Sequence, residues 1–263
     1  MSKKISKLCI ISINRSGTNY FCDSLNGFEQ VYSAKEIFGE QGSYGIEGFF
    51  PDVINEMMAE LNIKDDNPFS LRNSRPLIFT HKVTEKVINN GFELFSFKIF
   101  PNQLDNNIII ERFVKNSDYL KFLIVRSRVD VYLSLQKALL SGAWLKKNTT
   151  DIELKLSVDD FLKWCRVNDE WYNSVIDCLI KNNQKFKIIS YNNHINISQE
   201  HLNNCIYYSL RESGLDIKKS TTYTSNLVKQ EKMSKDEREE KYHDFFQELR
   251  EIGMYDYAYE EFL

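Results

Sequence analysis

The chain is poor in the residues that make linkers, holding only four prolines and ten glycines in 263 residues. That scarcity, without a repeat or low-complexity stretch, excludes a disordered or tandem-repeat protein. The five cysteines (Cys9, Cys22, Cys165, Cys178 and Cys205) are odd in number, dispersed and lack a C-x-x-C pair. They therefore form neither a disulfide framework nor a zinc knuckle, and buried thiols are expected. No apolar run reaches the ~18 residues of a membrane-spanning helix. Met1–Lys7 leads into an apolar strand with neither a leader core nor a cleavage site, so the expectation is a cytoplasmic protein without a transmembrane segment. A dominant charge is also missing: 34 Lys and Arg against 37 Asp and Glu give −3. Such a balance excludes a broad grip on nucleic acid but leaves room for a small basic pocket.

What the chain does have is 42% hydrophobic and 13% aromatic residues, enough for a sizeable core. Apolar runs of strand length cover Leu8–Ile13, Val31–Ser33, Phe92–Phe100, Leu120–Val125 and Lys185–Ser190. Segments of helical period lie between them, a pattern that predicts an α/β fold with a central parallel sheet flanked by helices in three layers. Phe21, Cys22, Leu25 and Phe28 mark one apolar helix face, and Val129, Tyr132, Leu133, Gln136 and Leu140 mark another. Ser157–Asn182 predicts a long amphipathic helix with Val158, Phe161, Leu162, Cys165, Val167, Trp171, Val175 and Leu179 inward. Ser234–Ile252 predicts a charge-rich helix whose Tyr242, Phe245, Phe246, Leu249 and Ile252 dock on the body while its charges face water. A single domain over 1–263 is expected, with a helical insertion at about 49–90 and a C-terminal loop and helix at about 218–263.

Two strand-to-helix junctions carry anion-binding chemistry. The first is Asn14-Arg15-Ser16-Gly17-Thr18-Asn19. There the backbone N–H groups and positive dipole end of a helix converge, Gly17 permits close approach, and Arg15, Ser16 and Thr18 add a charge and hydroxyls. The spacing is not that of a Walker A loop, and no magnesium-binding pair accompanies it. The second is Arg126-Ser127-Arg128, where Arg126 ends an apolar strand at the sheet edge at which ligands of open α/β folds collect. Ser134 follows two helical turns later in a polar stripe of Asp130, Ser134, Lys137 and Ser141, expected to face away from the apolar one.

Together these signals resemble the paired elements of sulfotransferases that use 3′-phosphoadenosine 5′-phosphosulfate. In that family an Arg/Lys-Ser-Gly-Thr loop meets the 5′-phosphosulfate, and an Arg with a Ser eight residues on, as in Arg126 and Ser134, meets the 3′-phosphate. Ser134-Leu135-Gln136-Lys137-Ala138 followed by Gly142-Ala143-Trp144 is similar to bacterial carbohydrate sulfotransferases of the nodulation-factor and trehalose-sulfating type. Phe97-Lys98-Ile99-Phe100 and Ser190-Tyr191-Asn192 are similar to further family positions. Three positions depart from the pattern: Asn14 where proline is frequent, Asn19 where Thr or Ser is, and Asn192-Asn193 where an acidic residue is usual.

The resemblance implies a P-loop-like fold and in-line transfer of a sulfuryl group to a hydroxyl of a carbohydrate or glycolipid, with adenosine 3′,5′-bisphosphate as product and no metal. It implies a cofactor site of Arg15, Ser16, Gly17, Thr18, Asn19, Arg126 and Ser134, closed by Lys229. Glu36, just past the second strand, is the implied base, with Glu40 and His81 as substitutes. Lys98, near the end of an apolar strand, would assist the sulfonyl oxygens or extend to water. His81 and Trp144 are candidate acceptor contacts. His194 and His201 lack carboxylates at ligand spacing, so no metal site is expected. A small-metabolite kinase and a silent phosphonucleotide-binding module are the alternative readings.

Overall fold

The strands are β1 (Lys7–Ile11), β2 (Val31–Ser33), β3 (Leu94–Ile99), β4 (Leu120–Val125) and β5 (Phe186–Ser190), all parallel in the order β2-β3-β1-β4-β5. The computed structural model describes residues 6–63, 67–142, 144, 149, 151–219 and 233–263. The helices are α1 (Thr18–Leu25), α2 (Phe50–Leu61), α3 (Pro68–Ser74), α4 (Pro76–Asn89), α5 (Asn106–Ile109), α6 (Arg128–Ser141), α7 (Val158–Lys181), α8 (Gln199–Glu212), α9 (Lys235–Lys241), α10 (His243–Glu251) and α11 (Tyr255–Tyr259). This is the expected α/β fold, and the expected strands lie within two residues of the observed ones.

Alternation along the strands builds the layers. Cys9, Ile11, Phe95, Phe97, Leu123 and Val125 pack against Val53, Phe79, Val83, Trp171 and Val175 from α2, α4 and α7. On the other face Leu8, Ile10, Leu94, Phe122 and Ile124 meet Phe21 and Leu25 of α1 and Leu202 and Ile206 of α8. Local signals start the helices: Ser157 Oγ accepts from Asp160 N, Ser198 Oγ from His201 N, and Ser234 with Glu237 forms a capping box. The chain leaves β1 toward one edge of the sheet and β4 toward the other, so the loops after these neighbours flank a topological switch point.

Four expectations need correction. The C-terminal helix is broken at Tyr242 (φ −119, ψ 43), whose ring is buried and whose hydroxyl donates to Ile152 O at 3.2 Å. Its charges are not all solvated: Arg238 pairs with Asp130, and Glu239 accepts from the hydroxyls of Tyr255 and Tyr259. The polar stripe of α6 is consequently covered rather than exposed, and Lys137 is buried beside the Tyr242 ring. Conversely, Leu140, Val167 and Ile252, expected inside, are exposed at 66%, 64% and 50%. Leu140 and Ile252 sit at helix ends beyond the packed turns, and Val167 borders a cleft described below.

Candidate active site

The loop after β1 turns sharply, with Arg15 at φ 72 and Gly17 at φ 83. Gly17 is required twice over: the left-handed conformation disfavours a side chain, and an added Cβ would lie 2.6 Å from Cδ2 of Tyr191. No side chain caps α1 at this end, so its first N–H groups converge on the turn. Ser16 is wholly buried there, within reach of the Tyr172 hydroxyl.

Arg126 leaves the end of β4 and reaches this turn. Its Nη1 donates to Arg15 O at 2.9 Å, and its guanidinium lies 4.1 Å from the centre of the Tyr191 ring. Its Nε is buried without a hydrogen-bond partner among the described residues. Arg15 in turn donates from Nε to Ser134 Oγ at 3.0 Å and from Nη1 to Trp144 O at 2.7 Å. The structure thus brings both junctions into one site. Burial, with the Arg126 charge adding to it, pulls the Arg15 guanidinium below its ordinary pKa, an environment that favours an anion. Asp130 is the local counter-charge: burial alone would raise its carboxyl, but Arg126 and Arg238 outweigh burial and hold it below the usual carboxylate value.

A second cluster stands beside the first. Lys98 alternates with Phe97 and Ile99 along β3, so it points to the α1 side, where it is 1% exposed. Its Nζ donates to Asn19 Oδ1 at 2.7 Å and Thr18 Oγ1 at 3.3 Å and pairs with Glu36 Oε1 at 3.0 Å. Lys98 is therefore wholly enclosed rather than extending to water. The other Glu36 oxygen accepts from Gln103 Nε2 at 3.0 Å, and Gln103 Oε1 accepts from Phe100 N at 3.0 Å, which sets the orientation of that amide. Behind Glu36, buried Arg72 of α3 donates to the carbonyls of Ile37, Gly39 and Gly42 and to Ser43 Oγ. Burial lowers its pKa to about 10. One arginine from the helical segment between β2 and β3 thereby staples the loop that carries Glu36.

Arg15, Ser16, Gly17, Thr18, Asn19, Lys98, Glu36, Arg126 and Ser134 all fall in these two clusters. Trp144 joins through its carbonyl oxygen, while its side chain is 46% exposed. His81 does not join: it stands on the exposed face of α4, 3.5 Å from Glu85. Glu40 is exposed. Lys229 lies outside the described residues. Sequence reasoning missed Gln103, Asp130 as the Arg126 counter-charge, and Arg72. A glutamine or a buried arginine in a chain of mixed charge carries no local signal, whereas Asp130 stood in the stripe already noted.

Two solved structures are similar in fold. One is the sulfotransferase domain from the curacin biosynthetic pathway, 12% identical, covering 79% of this chain and 75% of that one, with a TM-score of 0.42. The other is the sulfotransferase domain from the Synechococcus PCC 7002 olefin synthase, 10% identical, covering 84% and 78%, with a TM-score of 0.40. No family model and no curated protein matches the chain.

Proposed function

We propose that this protein is a sulfotransferase moving a sulfuryl group from 3′-phosphoadenosine 5′-phosphosulfate to a hydroxyl of a carbohydrate or glycolipid acceptor. The observation that carries this reading is the meeting of the Arg15 and Arg126 junctions: a hydroxyl and two guanidinium groups, held together by the Arg15–Ser134 and Arg126–Arg15 hydrogen bonds. Arg126 Nε there is buried with no hydrogen-bond partner among the described residues, and the Gly17 turn leaves backbone N–H groups uncapped. Unmet donors beside like charges fit a polyanion.

The bound donor supplies an activated sulfuryl group on a good leaving group. Arg15, the hydroxyls of Ser16 and Thr18, the Gly17 backbone and Asn19 hold its 5′ end. Arg126 and Ser134 hold the 3′-phosphate, for which the arginine fork is suited. Glu36 accepts the proton of the acceptor hydroxyl as its oxygen forms the new bond to sulfur and the bond to the leaving phosphate oxygen breaks. Lys98, poised between the loop helix and Glu36, offsets charge on the transferred group and fixes the carboxylate in register. Most of the rate gain comes from positioning and charge complementarity.

The test is a labelled-sulfate transfer assay with the phosphosulfate donor against cell-envelope glycans and simple saccharides. Label incorporation abolished by Arg15→Ala supports the reading. Magnesium-dependent consumption of ATP without sulfate transfer would replace it with a kinase.

A further inference from the structure

A cleft of about 490 Å³ opens where the carboxyl ends of β1 and β3 face α5, α6 and α7. Its position ties it to both clusters. Asn14 in its wall is the chain neighbour of Arg15, and Asn102 is the neighbour of Gln103, which donates to Glu36. The volume falls within the range of small-molecule sites.

The lining has a consistent chemistry. Asn102, Asn107 and Asn168 bring carboxamides, groups that donate and accept without charge. Trp164 and Trp171 bring indole faces, and Val167 brings a methyl surface. Among the described residues no Lys, Arg or His lines the cleft, and the one ionisable wall residue is Glu170. Several groups there have capacity to spare. Trp171 is 5% exposed, yet its Nε1–H is buried with no hydrogen-bond partner among the described residues. Asn168 commits Nδ2 to Trp164 O at 2.8 Å, which leaves its Oδ1 as an acceptor. Val167, 64% exposed on the long helix, acquires a use as cleft wall.

We propose that this cleft is the acceptor site and that it takes a neutral polyhydroxyl compound, an uncharged saccharide, in preference to an anionic one. Carboxamides satisfy hydroxyls in either direction, indoles pack on apolar C–H faces, and Glu170, the one charge among the described wall residues, repels sulfated or phosphorylated analogues. The role as acceptor site rests on the sulfuryl-transfer reading; the ligand class rests on the lining alone.

Two of the three tryptophans line the cleft, so tryptophan fluorescence reports on it without any turnover. Maltose, cellobiose and glucose 6-sulfate are titrated into the full chain, and adenosine 3′,5′-bisphosphate is titrated in parallel by calorimetry. Saturable quenching by a neutral disaccharide is expected, about tenfold or more tighter than by glucose 6-sulfate. Val167→Glu, at an exposed position, is expected to weaken sugar binding about tenfold or more while bisphosphate affinity stays within twofold or so. No saturable quenching by either disaccharide, equal affinity for glucose 6-sulfate, or an unaffected Val167→Glu variant overturns the proposal. Sugar binding without bisphosphate binding instead upholds the cleft and removes the sulfuryl-transfer reading, so the two fail separately.

Discussion

Arg15 Nε donates to Ser134 Oγ across 3.0 Å, joining the turn after β1 to the second turn of α6 over 119 residues of chain. This hydrogen bond makes one site of two junctions. Ser134→Ala removes both the tether on Arg15 and a hydroxyl facing the proposed 3′-phosphate. Hydrogen bonds to charged groups contribute ~1.5–3 kcal/mol, so affinity for adenosine 3′,5′-bisphosphate is expected to fall about 10-fold to 150-fold by calorimetry. The fold is expected to stay intact, because Ser134 is only partly buried.

Gly17→Ala tests the turn itself. The substitution places a Cβ at φ 83 and 2.6 Å from the Tyr191 ring, the same ring on which Arg126 rests. Strain of ~1–3 kcal/mol is expected, read as a lower thermal unfolding midpoint together with weaker bisphosphate binding. An unchanged midpoint and unchanged binding contradict a cradle built on this glycine.

Glu36→Gln keeps the shape of the side chain and removes its ability to accept a proton. Turnover is expected to drop roughly 10²-fold to 10⁴-fold with donor affinity retained. Gln103→Leu leaves the carboxylate but removes the amide donor that orients it. It is expected to lower kcat and displace the pH profile of kcat, with KM for the donor unchanged. Normal turnover in Glu36→Gln sinks this base assignment.

Most of the scaffold was legible because its signals are local. Apolar runs gave the strands, Ser157 and its acidic first turn gave α7, and a glycine after an arginine at a strand end gave the turn. The meeting of Arg15 with Ser134 was legible only through two separated motifs considered together. Contacts that depend on how layers stack left no such trace. Arg72 reaches the Glu36 loop from α3, Gln103 approaches Glu36 from a loop after β3, and Val167 faces a cleft from an otherwise inward-facing periodicity. The polar stripe of α6 was misread because its cover, Arg238 and Tyr242, comes from more than 100 residues later, as the Arg238–Asp130 separation of 108 shows.

The central claim is that Arg15 and Arg126 form a single site for a nucleotide phosphorylated at both ends of its ribose. Calorimetry of the wild-type chain and Arg126→Ala with adenosine 3′,5′-bisphosphate and with adenosine 5′-monophosphate tests it most directly. The wild type is expected to bind the bisphosphate about tenfold or more tighter than the monophosphate, and Arg126→Ala to erase that difference. Equal affinity of the wild type for the two nucleotides, or a preference that survives in Arg126→Ala, would contradict it.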